Sequence, residues 1–226
     1  NISKNIINFF EKNIDLQKDG TTSDGKKTEI KKTTDINIHP KSLKEEKFLD
    51  IKKYIDELHK CYLDYQEQWP FVKNIINTVD IPSFNIQKYN PGDHFSRAHT
   101  ERASINSLHR VFAWMTYLND VQDGGNTYFN HYDLRVKPEI GKTLIWPAEW
   151  THAHSGEVLK TGVKVSIDKE VVKINELCDD SKSFFGGNSK ILDKWKIMKK
   201  LFKEKNQSRK ECILLPFKAV KKIISL

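Results

Sequence analysis

Cysteine is scarce in this chain. The 226 residues hold three, Cys61, Cys178 and Cys212, far apart and with no CxxC pair. Such a set argues against a disulfide framework and a structural zinc site, and it fits a reducing, cytoplasmic setting. No apolar run approaches the roughly 20 residues of a membrane span, so no transmembrane segment is expected. The first residues carry no signal-peptide core, and no internal repeat is visible.

Aromatic residues are plentiful. Five Trp and twelve Phe sit in a chain that is 38% hydrophobic, enough for a sizeable core. The net charge of +8 is uneven: from Glu170 onward there are 14 Lys/Arg against 7 Asp/Glu, leaving the rest near neutral. The basic excess therefore belongs to a C-terminal extension, 169–226, and says little about the core chemistry. There Ile191, Trp195, Met198 and Phe202 share one face of an expected helix, with lysines around it and an apolar patch at Ile213–Phe217. The Lys-rich stripe reads either as the solvated face of a packed helix or as a weak contact for nucleic acid or an anionic surface; the former is preferred.

Residues 1–40 read as a peripheral or linker segment. It holds a short amphipathic helix around Ile6, Ile7, Phe9 and Phe10, then a polar stretch, Asp19–Lys27. A helix is expected over Lys44–Tyr65, where Phe48, Ile51, Tyr54, Ile55, Leu58 and Tyr62 recur at helical spacing behind a Ser42/Glu45 capping box. From Ser83 the period changes to short β-type runs: 84–89, 111–118, 127–134, 143–146, 154–159 and 163–167. Glycine- and proline-containing turns separate them. That pattern predicts a sandwich, barrel or jelly roll with a helix on an outer face. The domain is expected over 41–168.

Within it, His99-Thr100-Glu101 places an imidazole and a carboxylate at i and i+2, which share a face if extended. His152-Ala153-His154 follows. Two His and one carboxylate leave metal positions open and suit Fe(II). On spacing alone, the same residues read equally well as surface or core histidines.

The surroundings carry a resemblance. Tyr89-Asn90-Pro91-Gly92 leads to His99-Thr100-Glu101. Arg110 precedes Tyr117-Leu118-Asn119-Asp120 and Gly124-Gly125-Asn126-Thr127-Tyr128-Phe129. Val136-Lys137-Pro138 precedes Gly141-Lys142-Thr143-Leu144-Ile145-Trp146-Pro147, and His154 precedes Gly162-Val163-Lys164. In this order, over about 84–167, these elements resemble the Fe(II)- and 2-oxoglutarate-dependent dioxygenases. The prolyl 4-hydroxylase-like branch, and its phage- and virus-type members, are the most similar.

The resemblance implies a mainly β fold with flanking helices. That fold is a double-stranded β-helix (jelly roll), with the N-terminal helix packed on its major sheet and a helical basic C-terminal tail. It implies Fe(II) held by His99, Glu101 and His154, and 2-oxoglutarate held by Lys164 with Tyr117 and Tyr89 in the same pocket; Thr143 is a further candidate contact. The spacing to Lys164 favours His154 over His152, which would also face inward. Phe95, Trp114, Phe129 and Trp146 would wall the pocket. Gly124-Gly125 would serve a turn of positive φ.

The implied reaction is O2-dependent hydroxylation of a protein or small-molecule substrate such as peptidyl proline, with release of succinate and CO2 and ascorbate as reductant. The implied setting is the cytoplasm, the host's if the source is viral. Two departures stand out. The family's usual Asp is Glu101, whose extra methylene moves the carboxylate about 1.5 Å. The strand after Lys164, Val165-Ser166-Ile167-Asp168-Lys169-Glu170, lacks the family's closing Trp. A non-catalytic jelly-roll binding module with a degenerate metal site is the alternative, and the retained Lys164 and Tyr117 argue against it.

Overall fold

The structure is a computed structural model that describes residues 1–22, 25–76, 79–104 and 107–172. The expected helical tail, its basic stripe and most of the extension 169–226 lie outside these residues. Asn1–Ala103 with Arg110–Val172 form one compact unit.

In the first unit, helices α1 (Ile2–Lys12), α2 (Leu49–Gln68) and α3 (Phe71–Ile75) accompany eleven strands. These are β1 (Lys18–Asp19), β2 (Lys31–Lys32), β3 (Thr34–Ile38), β4 (Phe84–Tyr89), β5 (His94–His99), β6 (Arg110–Tyr117), β7 (Thr127–Phe129), β8 (Leu134–Val136), β9 (Thr143–Pro147), β10 (His154–Gly156) and β11 (Lys164–Val172). A six-stranded sheet has the order β1-β3-β4-β11-β6-β9 and a five-stranded sheet the order β2-β5-β10-β7-β8. Every pairing is antiparallel. From β4 on, the chain passes back and forth between the two sheets, the path of a jelly roll.

The six-stranded sheet shows why this sequence folds so. Alternate residues of a strand face opposite sides, and here the two sides differ in chemistry. Ile36 pairs with Ile86, Ile86 with Ile167 and Ile167 with Thr116, a row across four strands. With Phe84, Phe112, Trp114, Val165 and Val171 they form the buried outer face under the helices. Helix α1 contributes Ile6 and Phe10, and α2 contributes Ile51, Tyr54 and Leu58. The intervening residues form the row Asp35, Gln87, Ser166 and Tyr117 on the inner side.

The expected helix packed on this sheet is α2, but it starts later than the sequence reading. Ser42 lies in the first of two 3-10 turns that precede it and Glu45 lies between them, and no side chain caps α2 at its N-cap residue, Phe48. Where the sequence reads a peripheral segment over 1–40, the structure has α1 buried against α2 and three short strands extending both sheets. The run 127–134 is two strands separated by a 3-10 turn, Asn130–Tyr132, closed by Asp133 at φ 46°. β5, absent from the strand runs read from the sequence, begins at His94.

Candidate active site

β10 lies between β5 and β7, and its register sets His154 directly opposite His99 on one side and Phe129 on the other. The two imidazole centroids are 4.4 Å apart. β5 ends at His99, so Glu101 stands in the following loop rather than on a strand as expected. That loop is pinned: the Thr100 hydroxyl and the Arg102 backbone N–H both donate to the Ala148 carbonyl, at 2.7 and 3.0 Å, and Arg102 pairs with Glu149. Glu101 Oε1 lies 3.5 Å from His154 Nε2 and 3.8 Å from His99 Nε2. One ligand atom from each of His99, Glu101 and His154 falls within 4.8 Å of the others.

Both histidines are oriented from behind. His99 Nδ1 is 3.0 Å from the Arg97 carbonyl, and His154 Nδ1 is 2.9 Å from the His152 carbonyl. A carbonyl only accepts, so each Nδ1 carries the proton and each Nε2 turns a lone pair toward Glu101. Burial, aided by neighbouring His154, pushes the His99 pKa down to about 4, keeping the ring neutral as a metal ligand must be. Burial acts upward on Glu101, but its neighbours His154 and His99 outweigh it and hold the carboxyl below its ordinary range. Two imidazoles presenting Nε2 and an ionised carboxylate converging on one point fit a divalent iron ion.

A cavity of about 880 Å³ opens from this cluster between the sheets. Lys164, the first residue of β11, lines it at 1% exposure, pairs in register with Tyr89, and lies 4.0 Å over that ring. Its Nζ donates to the Gly125 carbonyl at 3.0 Å. Gly125 and Gly124 have φ of 66° and 77°, and a Cβ on Gly124 would sit 2.4 Å from the Val158 carbonyl oxygen. The turn is thus built for glycine, as expected, and it holds the lysine. Burial pushes Lys164 down to about 8, with Asp168 opposing.

Tyr117 is fully buried and donates to Thr127 Oγ1 at 2.6 Å. Burial raises its phenol to about 12 against that bond, so it stays a donor. Ser166 Oγ, also fully buried on this side of β11, has no partner among the described residues.

Some expected residues stand elsewhere. Thr143 Oγ1 bonds to Thr116 Oγ1 at 2.8 Å, on the face under α2. Trp114 also faces α2, its Nε1 donating to Tyr54 Oη at 3.0 Å. His152 ends a 3-10 turn and points to Tyr132, 3.4 Å away, instead of inward. Phe95 does flank the His99, Glu101 and His154 cluster, stacked on His99 at 4.0 Å, and Trp146 and Phe129 pack on His154.

Sequence reasoning missed three groups. Thr127 was visible inside the Gly124–Phe129 motif. Arg110 bonds to Glu101 and Glu170. The Lys31–Asp35 pair at 2.9 Å comes from the N-terminal strands. Gln87 joins that pair to the pocket: with its nitrogen toward Tyr89 Oη (2.9 Å) and Asp168 Oδ2 (3.0 Å), its oxygen accepts from Lys31 at 2.7 Å. A separate apolar cavity of about 420 Å³ under α2 contains none of the cluster.

Residues 84–169, the strands that carry the cluster and Lys164, match the family described as the 2OG-Fe(II) oxygenase superfamily. Fold and cluster agree with that match: the segment resembles a 2-oxoglutarate- and Fe(II)-dependent oxygenase domain. Among solved structures it resembles the viral collagen prolyl hydroxylase of Paramecium bursaria Chlorella virus-1, captured with 2-oxoglutarate: 16% identity, 76% of this chain and 89% of that one, TM-score 0.53. A Pseudomonas putida prolyl-4-hydroxylase is similar at 15% identity over 76% and 85%, TM-score 0.56. So is a Trichoplax adhaerens prolyl hydroxylase in complex with a hypoxia-inducible-factor peptide, at 12% identity over 76% of each chain, TM-score 0.57. A search of curated proteins found no match.

Proposed function

We propose that this chain is a double-stranded β-helix hydroxylase that acts on a peptidyl substrate, with proline the first residue to test. The observation that carries the cofactor reading is the Nε2-out orientation of His99 and His154 around Glu101, at one end of a cavity that also contains a buried lysine. The substrate class rests on the peptide-hydroxylating relatives alone, since fold does not fix substrate.

His99, Glu101 and His154 would hold Fe(II). When bound, the iron supplies O2 activation, coupling decarboxylation of 2-oxoglutarate to succinate with hydroxylation of the substrate. The chain's own tasks are binding, orientation and exclusion of water. Lys164 would take the distal carboxylate of 2-oxoglutarate as a charge-assisted partner in a site with little water to compete. Thr127 and Tyr89 line the same end, and Tyr117 donates to Thr127 behind them. Phe95, Phe129 and Trp146 keep the rings of the two histidines dry. Ascorbate would serve as reductant. The cytoplasm is the proposed setting; among the described residues no helix is long and apolar enough to cross a membrane.

The test is anaerobic reconstitution with Fe(II), then succinate measured after O2 is admitted, for wild type, His99→Ala and Lys164→Ala, with and without proline-rich peptides. Succinate from wild type, lost in both variants, supports the oxygenase, and a peptide-dependent rise supports the substrate class. Absence of both succinate and the Fe(II)–2-oxoglutarate charge-transfer band would replace it with the binding-module reading.

A further inference from the structure

We propose that Arg110 and Glu170 form a positioning pair that holds Glu101 toward the two histidines, a role that rests on the metal-site reading and deepens it. The sequence departs from the family pattern at two places, Glu at 101 and the Trp-less end of the last strand, and in the fold both meet a single guanidinium. Arg110 Nη1 donates to the Glu101 backbone carbonyl at 3.0 Å and contacts Glu170 Oε1 at 2.6 Å. The same nitrogen lies 3.8 Å from Glu101 Oε2.

The two oxygens of Glu101 thereby have different neighbours. Oε1 faces the histidine Nε2 atoms, while Oε2 faces Arg110. Glutamate has one more rotatable bond than aspartate, so a glutamate ligand loses more rotamer freedom when fixed. A cation beside the remote oxygen, bonded also to the same residue's backbone, limits that freedom before any metal arrives. Arg110 opens β6, and Glu170 lies on β11 opposite Ala113 of β6, so adjacent strands carry the two partners. Lys169 Nζ lies 3.0 Å from Glu170 Oε2 without a hydrogen bond among the described residues, a charge contact on the far side of the pair. Glu170 is 9% exposed, so its end of the contact is buried, while the Arg110 side chain keeps 30% exposure.

Partners behind a metal ligand are worth about 10- to 100-fold in metal affinity. The experiment titrates the full chain anaerobically with Co(II), reading the dissociation constant by calorimetry and the coordination by d–d absorption. Metal-free melting is followed alongside. Wild type, Arg110→Gln, Arg110→Lys, Glu170→Gln, the Arg110→Gln/Glu170→Gln double variant and His99→Ala are compared.

The pair predicts at least a tenfold loss of Co(II) affinity and a changed d–d band in Arg110→Gln, partial recovery in Arg110→Lys, and a severalfold loss in Glu170→Gln. The double variant should be no worse than Arg110→Gln alone, because the two act as a unit. Affinity within twofold of wild type in Arg110→Gln, or additive losses in the double variant, overturns the pair and leaves the metal site standing. If Arg110→Gln does not fold, Glu170→Gln decides: an unchanged affinity and spectrum there overturn it. Wild type binding Co(II) no better than His99→Ala overturns the metal site itself, and the pair with it.

Discussion

The two faces of the six-stranded sheet are made by the same strands and do opposite work. The outer face is apolar and closed under α1 and α2; the inner face carries Asp35, Gln87, Lys164, Ser166 and Asp168 beside a cavity. Burying ionisable groups is costly without partners, so the inner face draws on stability that the outer face supplies. Fold energy and chemistry therefore separate across one sheet: outer-face changes should unfold the protein, and inner-face changes should alter binding at little cost to folding.

The largest expected effect tests the outer face. Trp114→Ala removes a fully buried indole packed on Phe84 and bonded to Tyr54. It should cost about 3–5 kcal/mol, read by urea unfolding. A loss below about 1 kcal/mol would break the division of labour.

Next comes its inner-face counterpart. Lys164→Met keeps the bulk and removes the charge, so metal-free stability should hold or rise, while 2-oxoglutarate affinity falls about 100-fold by calorimetry. Charge also gives wild type a pH limit. Burial has pushed Lys164 down to about 8, so the cation is lost as pH rises through that value, and the dissociation constant should climb about tenfold per pH unit beyond it. A flat profile to about pH 10 would show that the ammonium does not meet the co-substrate.

Much of this contrast is legible in the sequence, because strand periodicity carries it. Counting back by two from Tyr117 puts Met115 and Ala113 inside and Trp114 out, which corrects the reading of Trp114 as a pocket wall without any coordinates. The His99, Glu101 and His154 cluster was legible because its motif is local to strand ends. Three things were not. β1 and β2 are two residues long and made of Lys and Asp, so no periodicity announces them. His152 was read inward because nothing marks the 3-10 turn that breaks alternation between 152 and 154. The Arg110 link between Glu101 and Glu170 depends on strand neighbours far apart in sequence.

A smaller effect probes the cost of the inner face. Burial first, then the nearby Asp35 and Glu101, raise Asp168 to about 7, with Lys31 opposing. The folded state then holds a proton that the unfolded chain has released. Neutral Asp168 is tolerated below about pH 4 in both states, and the folded state loses stability as pH rises from there toward 7. Asp168→Asn should therefore stabilise the metal-free protein at about pH 8, on the order of 1 kcal/mol, and change it little at about pH 4. Equal effects at both values would mean the carboxyl is not titrating where its surroundings place it.

The smallest effect sharpens the boundary between the faces. Thr143 sits in the motif that resembles the family's, yet its hydroxyl bonds to Thr116, which in turn accepts from Tyr54 of α2. Thr143→Val keeps the shape and breaks one link of that chain. The loss should be about 1 kcal/mol in urea unfolding, with the 2-oxoglutarate dissociation constant unchanged. A weakened co-substrate with unchanged stability would put Thr143 back in the pocket and reverse the parity of β9. It would also reverse β6, since Thr143 pairs with Thr116 in register. The inward placement of Tyr117 depends on that parity, so this conservative variant tests the orientation of the whole sheet.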